Sequence, residues 1–406
     1  MKAHHALPLL VLAGCAADFT EPWDIEEPRP MGARVEVEGD PSRPRPRLGE
    51  RFSLDQYLAL PTPLLATSPR YELALTLCLG LRTPLGELAC LGDVPLAPEV
   101  TRVDDTHLRL SGLNLDPAQI LAPLAGQDAP ALDPATLPAL SDFDRVVLFG
   151  VLCADGRPER VPGKSVTKDA PSALYRCVDN AQAPFPDAST FTLSVLLDRG
   201  QPIDQNRNPS FACDPGEPTS ACATGVEVPN EPRIGGPLVL VYPPDTPIES
   251  APRRAIPWPA WTPATAPASV EGCRGDPSLP EVQSDTEEHT IRMRFDASDR
   301  EPYRYEIELN GQPTIQTGRE SLLVSHALST HGGEMERYFS ELDGSDPDAQ
   351  AEISFDYTPP KQSDEPEERI PDTGRRVRFY FTLRDQRGGV DFITRELCVV
   401  PGARQE

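Results

Sequence analysis

Apolar and polar residues alternate with a period of two along much of this chain. Ala33-Arg34-Val35-Glu36-Val37-Glu38 does so, as does Tyr71-Glu72-Leu73-Ala74-Leu75-Thr76-Leu77-Cys78. A period of two predicts strands with one buried face. The same pattern predicts strands at Arg51 to Leu60, His107 to Leu110 and Phe191 to Leu197. Arg145 to Cys153 is continuously apolar, which predicts a central strand covered on both faces. Leu115 to Leu140, rich in Pro, Ala and Leu, reads as a long connection. About seven strands over residues 31–200 suit a two-sheet sandwich with an insertion.

The carboxy-terminal half carries the cleanest alternation. Ile291, Met293 and Phe295 alternate with Arg292 and Arg294, and Ile353, Phe355 and Tyr357 alternate before Pro359-Pro360. Val377, Phe379, Phe381 and Leu383 alternate with Arg378, Tyr380 and Thr382. Tyr305, Ile307 and Leu309 run into Asn310-Gly311, a dipeptide that favours a two-residue hairpin turn. Pro237 to Tyr242 adds another strand, and Arg319 to Leu342 is the one helical candidate, expected as an insertion between strands. Arg375, Arg376 and Arg378 read as the solvated face of a strand. The expected fold class is mainly β: two immunoglobulin-like antiparallel β-sandwich domains with long Pro-rich loops. Their expected bounds are 31–200 and 201–402, the second with a Pro-rich loop at 243–270 and the helical insertion at 319–342.

Composition narrows the function classes. Hydrophobic residues make up 38% and there are 48 prolines, which argues for modest cores, short strands and long connections. A net charge of −25 disfavours nucleic acid, whose phosphates need clustered Lys and Arg.

The first fourteen residues have one Lys, an apolar run from Ala6 to Ala13 and small residues before Cys15, the layout of a signal peptide at 1–14. The run is too short to cross a bilayer, which takes about 20 apolar residues. Leu12-Ala13-Gly14-Cys15 resembles the lipobox of bacterial lipoproteins. That resemblance implies cleavage before Cys15, lipid on its sulfur and a membrane anchor. Residues 15–30 would then be a tether. Ala16, in place of the aspartate that retains many such proteins in the inner membrane, implies the outer membrane, facing periplasm or cell surface. The closing hairpin around Arg384-Asp385-Gln386-Arg387-Gly388-Gly389 resembles the last hairpin of immunoglobulin-like or PKD-like extracellular modules. The chain also resembles uncharacterised lipoproteins of myxobacteria. No catalytic residue or cofactor comes with either resemblance.

Of nine cysteines, lipid on Cys15 leaves Cys78, Cys90, Cys153, Cys177, Cys213, Cys222, Cys273 and Cys398. An even number in an oxidising compartment suggests disulfides. Pairing sequence neighbours joins Cys78–Cys90, Cys153–Cys177 and Cys213–Cys222, and Cys273–Cys398 then closes the carboxy-terminal domain. Cys78–Cys153 is the competing pair, because both sit in strand-like runs.

Candidate chemistry is thin. His326, His331 and Glu334 are spaced five and three apart, whereas a helical zinc pair needs histidines four apart. Ser325 adjoins His326, but no Gly-x-Ser-x-Gly elbow appears. Asp343-Gly344-Ser345-Asp346-Pro347-Asp348 offers hard oxygen ligands that suit calcium, though polar turns use the same residues. Arg274-Gly275-Asp276 is read as a chance match to an adhesion tripeptide. Trp258 and Trp261 would either stack on sugar rings or pin the Pro-rich loop to its domain. The expectation is a non-enzymatic surface lipoprotein without metal or cofactor. Its partners would be membrane lipid through Cys15 and a cell-envelope protein or glycan. An exported hydrolase and a carbohydrate-binding module are the alternatives.

Overall fold

Burial of alternate residues organises the chain into sheets packed face to face. The computed structural model describes residues 24–116, 145–197, 239–242, 254–259 and 271–402, with short breaks at 42, 62–69, 83–87, 167–168, 180, 182, 184–187, 285–287, 296–301, 310–311, 343–351, 367 and 386–387. In the first half the strands are β1 (Asp24–Ile25), β2 (Arg29–Val37), β3 (Arg51–Ala59), β4 (Tyr71–Arg82), β5 (Leu88–Leu96), β6 (Glu99–Arg102), β7 (His107–Asn114), β8 (Arg145–Ala154), β9 (Arg157–Arg160), β10 (Tyr175–Val178) and β11 (Ala188–Leu196). The second half holds β12 (Val239–Tyr242), β13 (Arg254–Pro257), β14 (Glu281–Gln283), β15 (His289–Arg294), β16 (Pro302–Leu309), β17 (Gln312–Arg319), β18 (Leu322–Ser329), β19 (Glu334–Met335), β20 (Phe339–Leu342), β21 (Glu352–Thr358), β22 (Arg375–Arg384) and β23 (Val390–Val400). The protein is mainly β, and one short 3-10 turn at Pro171–Ala173 is the only helical element among the described residues.

The first sandwich packs sheet β2-β3-β7-β6 on sheet β11-β8-β4-β5. Met31, Ala33, Val35 and Val37 of β2 are buried while Arg34 and Glu36 are half-exposed, so the period of two sets the register of burial. Val35, Phe52, Leu54 and Leu110 meet Leu75, Leu77, Leu148 and Val195 between the sheets. β8 is buried on both faces. Its second apolar row, Val147, Phe149, Val151 and Cys153, is covered by Leu174, Tyr175 and Cys177 on the flap built by β9 and β10.

In the second sandwich, sheet β1-β18-β22-β23-β14, with β20 also on β18, faces sheet β13-β12-β15-β21-β19. Val324, Phe379, Phe381 and Val399 pack there against Ile291, Met293, Phe355 and Tyr357. β1–β18 and β14–β23 are parallel pairs in an otherwise antiparallel architecture. β16 and β17 form the hairpin that Asn310-Gly311 predicts, with Leu309 opposite Gln312. They pair with each other and with no other described strand.

Four expectations need correction. Residues 319–342 are not a helical insertion, because β18 is a central strand between β20 and β22 and β19 and β20 follow it. Leu322, Val324 and Leu328 enter the core from one face, and the small residues Ser325, Ala327 and Ser329 are buried on the other. Flanking sheets outweigh the weak helical propensity of that run. The tether expected at 15–30 fails over residues 24–30, because Asp24–Ile25 pairs with β18 and β2 starts at Arg29. The Pro-rich loop expected at 243–270 contains β13, paired with β12. Finally, Arg375 and Arg378, on opposite faces of β22, are 8% and 2% exposed, so neither is solvated.

Candidate functional site: the cleft where the sandwiches meet

The outer face of β3 lies against the outer face of β22 and β23, and aromatic residues hold them together. Tyr57 stacks on Phe392 with ring centroids 4.6 Å apart and meets Tyr380 edge-on at 6.1 Å. Its hydroxyl donates to Ile393 O at 2.8 Å and lies 2.8 Å from Thr394 Oγ1. Tyr380 returns the tie by donating to Leu60 O at 3.0 Å. Ile25, Met31, Ala59 and Ala327 complete the apolar contact. β1 adds a strand of the first residues to the second sandwich, and Thr330 Oγ1 donates to Ile25 O.

Beside this contact, ionisable side chains are paired. Arg378 donates through Nε to Glu396 Oε1 at 2.7 Å, and Arg376 Nη1 donates to Glu396 Oε2 at 2.7 Å. Burial works against the Arg378 charge, yet Tyr380 and Glu396 hold its pKa above the usual guanidinium value. Asp104 and His107 form a second pair, with Asp104 Oδ2 2.8 Å from His107 Nδ1. Burial alone would raise the Asp104 carboxyl, but His107 and Thr106 outweigh it and hold it below the usual carboxylate range. The imidazole sits 5.2 Å from the Tyr57 ring and 5.1 Å from Phe392, so this carboxylate–histidine pair braces the contact.

At the rim of the contact lies a cleft of about 390 Å³. β2 and β11, the edge strands of the two sheets of the first sandwich, form its walls with Met31, Ala33, Phe191 and Leu193. The hairpin between β22 and β23 closes one end with Gly388, Gly389 and Val390. Arg384, Gln56, Thr192 and Ser194 supply its polar side chains, and Arg384 and Gln56 are the two that donate to β2. Arg384 Nη2 donates to Met31 O and Nη1 to Ser325 Oγ at 3.1 Å. Gln56, 2% exposed, donates through Nε2 to Gly32 O at 2.6 Å. These two donors satisfy neighbouring carbonyls at the register shift between Pro30 and Gly32 on β2.

The residues singled out from sequence are dispersed. His326 is fully buried, edge-on to Phe355 at 4.7 Å, and its Nε2 bonds Arg337 O. His331 lies in the turn after β18 with φ 56°, and Glu334 is exposed on β19. None of these lines the cleft, and no cluster of metal-ligating side chains occurs among the described residues. Trp258 is 3% exposed, donates to Glu396 O at 2.7 Å and packs edge-on to Phe379. It therefore pins its segment to the sandwich and offers no open face to a sugar. Trp261, the Asp343–Asp348 loop, Cys15, Cys213 and Cys222 lie outside the described residues. In Arg274-Gly275-Asp276, Asp276 accepts from Ser278, Gly275 N donates to Glu281 Oε1, and Arg274 bonds Asp372 O, so the tripeptide is an ordinary closed turn.

Two disulfides are formed as sequence neighbourhood suggests. Cys153–Cys177 ties β8 to the flap, and Cys273–Cys398 ties the approach to β14 to β23. The competing Cys78–Cys153 pair is excluded. β4 and β8 do lie side by side, but Cys78 faces Val147 while Cys153 faces Glu72. Cys78 is disulfide-bonded, and Cys90 lies on neighbouring β5, its side chain outside those described. Sequence reasoning missed Arg384 and Gln56. Arg384 read only as the first residue of a turn, and Gln56 carries no motif. No known family model matches the chain, and no curated protein is similar to it.

Proposed function

We propose that this protein is a non-enzymatic surface lipoprotein, held by lipid on Cys15 and acting as a binding or scaffolding module in the cell envelope. The observation that carries the reading is the pair of buried disulfides, Cys153–Cys177 and Cys273–Cys398. Such bonds form and persist in oxidising compartments, the setting of exported and surface proteins. The position of β1 supports it too. Asp24 is nine residues beyond Cys15, so an extended chain spans about 30 Å from anchor to first strand. The sandwiches would stand close to the bilayer, and Ala16 favours the outer membrane. The buried His326 supports a non-enzymatic role, since its ring is closed off from solvent between Phe355 and Arg337 O.

Labelling cells with radioactive palmitate tests the anchor. The protein should take up label and sediment with membranes, and Cys15→Ala should lose both properties while remaining exported. A reduced, unlabelled protein in the cytoplasm would sink the proposal.

A further inference from the structure

The cleft between β2, β11 and the β22–β23 hairpin contains a charge that no described residue balances. Arg376, Arg378, Arg160 and Arg109 each reach a carboxylate at 2.7 Å or less, on Glu396, Glu396, Asp93 and Glu36 respectively. Arg384 reaches none among the described residues. It spends two hydrogen bonds on Met31 O and Ser325 Oγ, and a guanidinium has five N–H groups. In a chain of net charge −25, acids for pairing are plentiful, which makes an unpaired, largely buried guanidinium unusual. Burial pushes the Arg384 pKa down, the response of a cation held away from water with no anion beside it.

The walls near this cation are mainly apolar, with Thr192 and Ser194 between the apolar residues of β11. Met31 and Ala33 from β2 face Phe191 and Leu193 from β11, and Val390 closes the hairpin end. Gln56 lies at the same cleft with Nε2 engaged on Gly32 O, while its Oε1 accepts from no described residue. A volume of about 390 Å³ lies within the roughly 300–1,000 Å³ typical of small-molecule sites. Gly32 keeps the entrance to the guanidinium open. A Cβ at that position would lie 3.5 Å from Arg384 Nη2, and a larger side chain would cover it.

We infer that the cleft binds a small amphiphile, an apolar chain ending in a carboxylate, with the carboxylate on Arg384 and the chain between β2 and β11. A planar carboxylate matches the guanidinium fork and accepts its free N–H groups. The apolar tail would cover the half-buried Phe191 and Leu193. This assigns a ligand class to the binding role proposed above but does not depend on the membrane anchor.

The test uses the full chain carrying Cys15→Ser, so that no acyl chain of its own competes, and decanoate as the titrant in calorimetry. Saturable one-to-one binding is expected, at least tenfold tighter than for decanol or decyltrimethylammonium. Arg384→Met should weaken decanoate at least tenfold and leave decanol unchanged, whereas Arg384→Lys should retain part of the affinity. Gly32→Val provides a second variant that leaves Arg384 in place, and it should also weaken decanoate. Equal binding of decanoate and decanol, non-saturating uptake, or undiminished affinity in both Arg384→Met and Gly32→Val overturns the inference. So does selective binding of a short apolar peptide through its carboxy terminus when decanoate does not bind. Because the anchor is absent from this chain, failure here leaves the palmitate result standing, and loss of palmitate labelling leaves this one standing.

Discussion

A histidine in water takes up a proton near pH 6.5, and burial changes that threshold. Inside the sandwich, burial pushes His326 down to about 4, against the opposing pull of the hydrogen bond with Arg337 O. The unfolded chain therefore binds a proton between about pH 6.5 and 4 that the native chain refuses. The His326 contribution to native stability is complete above 6.5, falls as pH drops through that window and levels off below 4, a loss of about 3 kcal/mol at most. Urea midpoints measured at pH 7.5, 5.5 and 4.5 should show this acid limb in the parent. It should be reduced in His326→Gln, which keeps a donor but cannot titrate there. Identical acid limbs in the two proteins would assign the sensitivity to other groups. Arg378 shows why such residues resist sequence reading. Alternation places it correctly on the face opposite Phe379, but alternation cannot say that a second sandwich covers that face and that Glu396 neutralises it.

At the scale of elements, the flap of β9 and β10 depends on one covalent tie. It covers the outer row of β8 through Leu174, Tyr175 and Cys177, and Cys153–Cys177 closes a loop of 24 residues. Replacing both cysteines by alanine should cost about 2–4 kcal/mol. Because the flap is small, it should detach before the sandwich unfolds. Limited proteolysis should then cut between residues 155 and 175 at urea concentrations where the parent remains intact. If cutting keeps pace with global unfolding in both proteins, the flap is held by Tyr175 and Thr76 rather than by sulfur. Strong alternation made β2, β3, β4, β7, β11, β15, β21 and β22 legible in the sequence, and an unbroken apolar run did so for β8. β5 was not, since Leu88-Ala89-Cys90-Leu91-Gly92-Asp93-Val94-Pro95-Leu96 has no clear period and forms by pairing with β4. β18 was misread for a related reason. Both of its faces are buried, so no polar stripe marks the period, and Ser325, Ala327 and Ser329 are small because another element lies on them. The cleft was not legible at all. Its walls come from strands more than 150 residues apart in sequence, and its polar side chains carry no motif.

Across the whole molecule, the contact around Tyr57 decides whether two sandwiches act as one body. Tyr57, Tyr380 and Phe392 fall on the strand faces opposite the core rows, so alternation alone would assign each to solvent. Brought together, they are stacked, hydrogen-bonded to main-chain carbonyls across the contact, and almost wholly buried for the two tyrosines. β1 strengthens the union because residues preceding the first sandwich complete an edge of the second. A contact this well satisfied couples the two unfolding equilibria, and calorimetry of the parent should give one cooperative transition. Tyr57→Ala removes the stacking and the bond to Ile393 O, at a cost of about 3–5 kcal/mol for a buried aromatic. Almost all of that loss falls on the contact, since Tyr57 is absent from the core between the sheets of the first sandwich. The variant should therefore split the endotherm in two, one transition per sandwich, with each sandwich keeping its own disulfides. A Tyr57→Phe control keeps the ring and should retain the single transition with a lower midpoint. Two transitions already present in the parent would mean that the contact is too weak to join the sandwiches. The cleft at its rim would then change shape as they move.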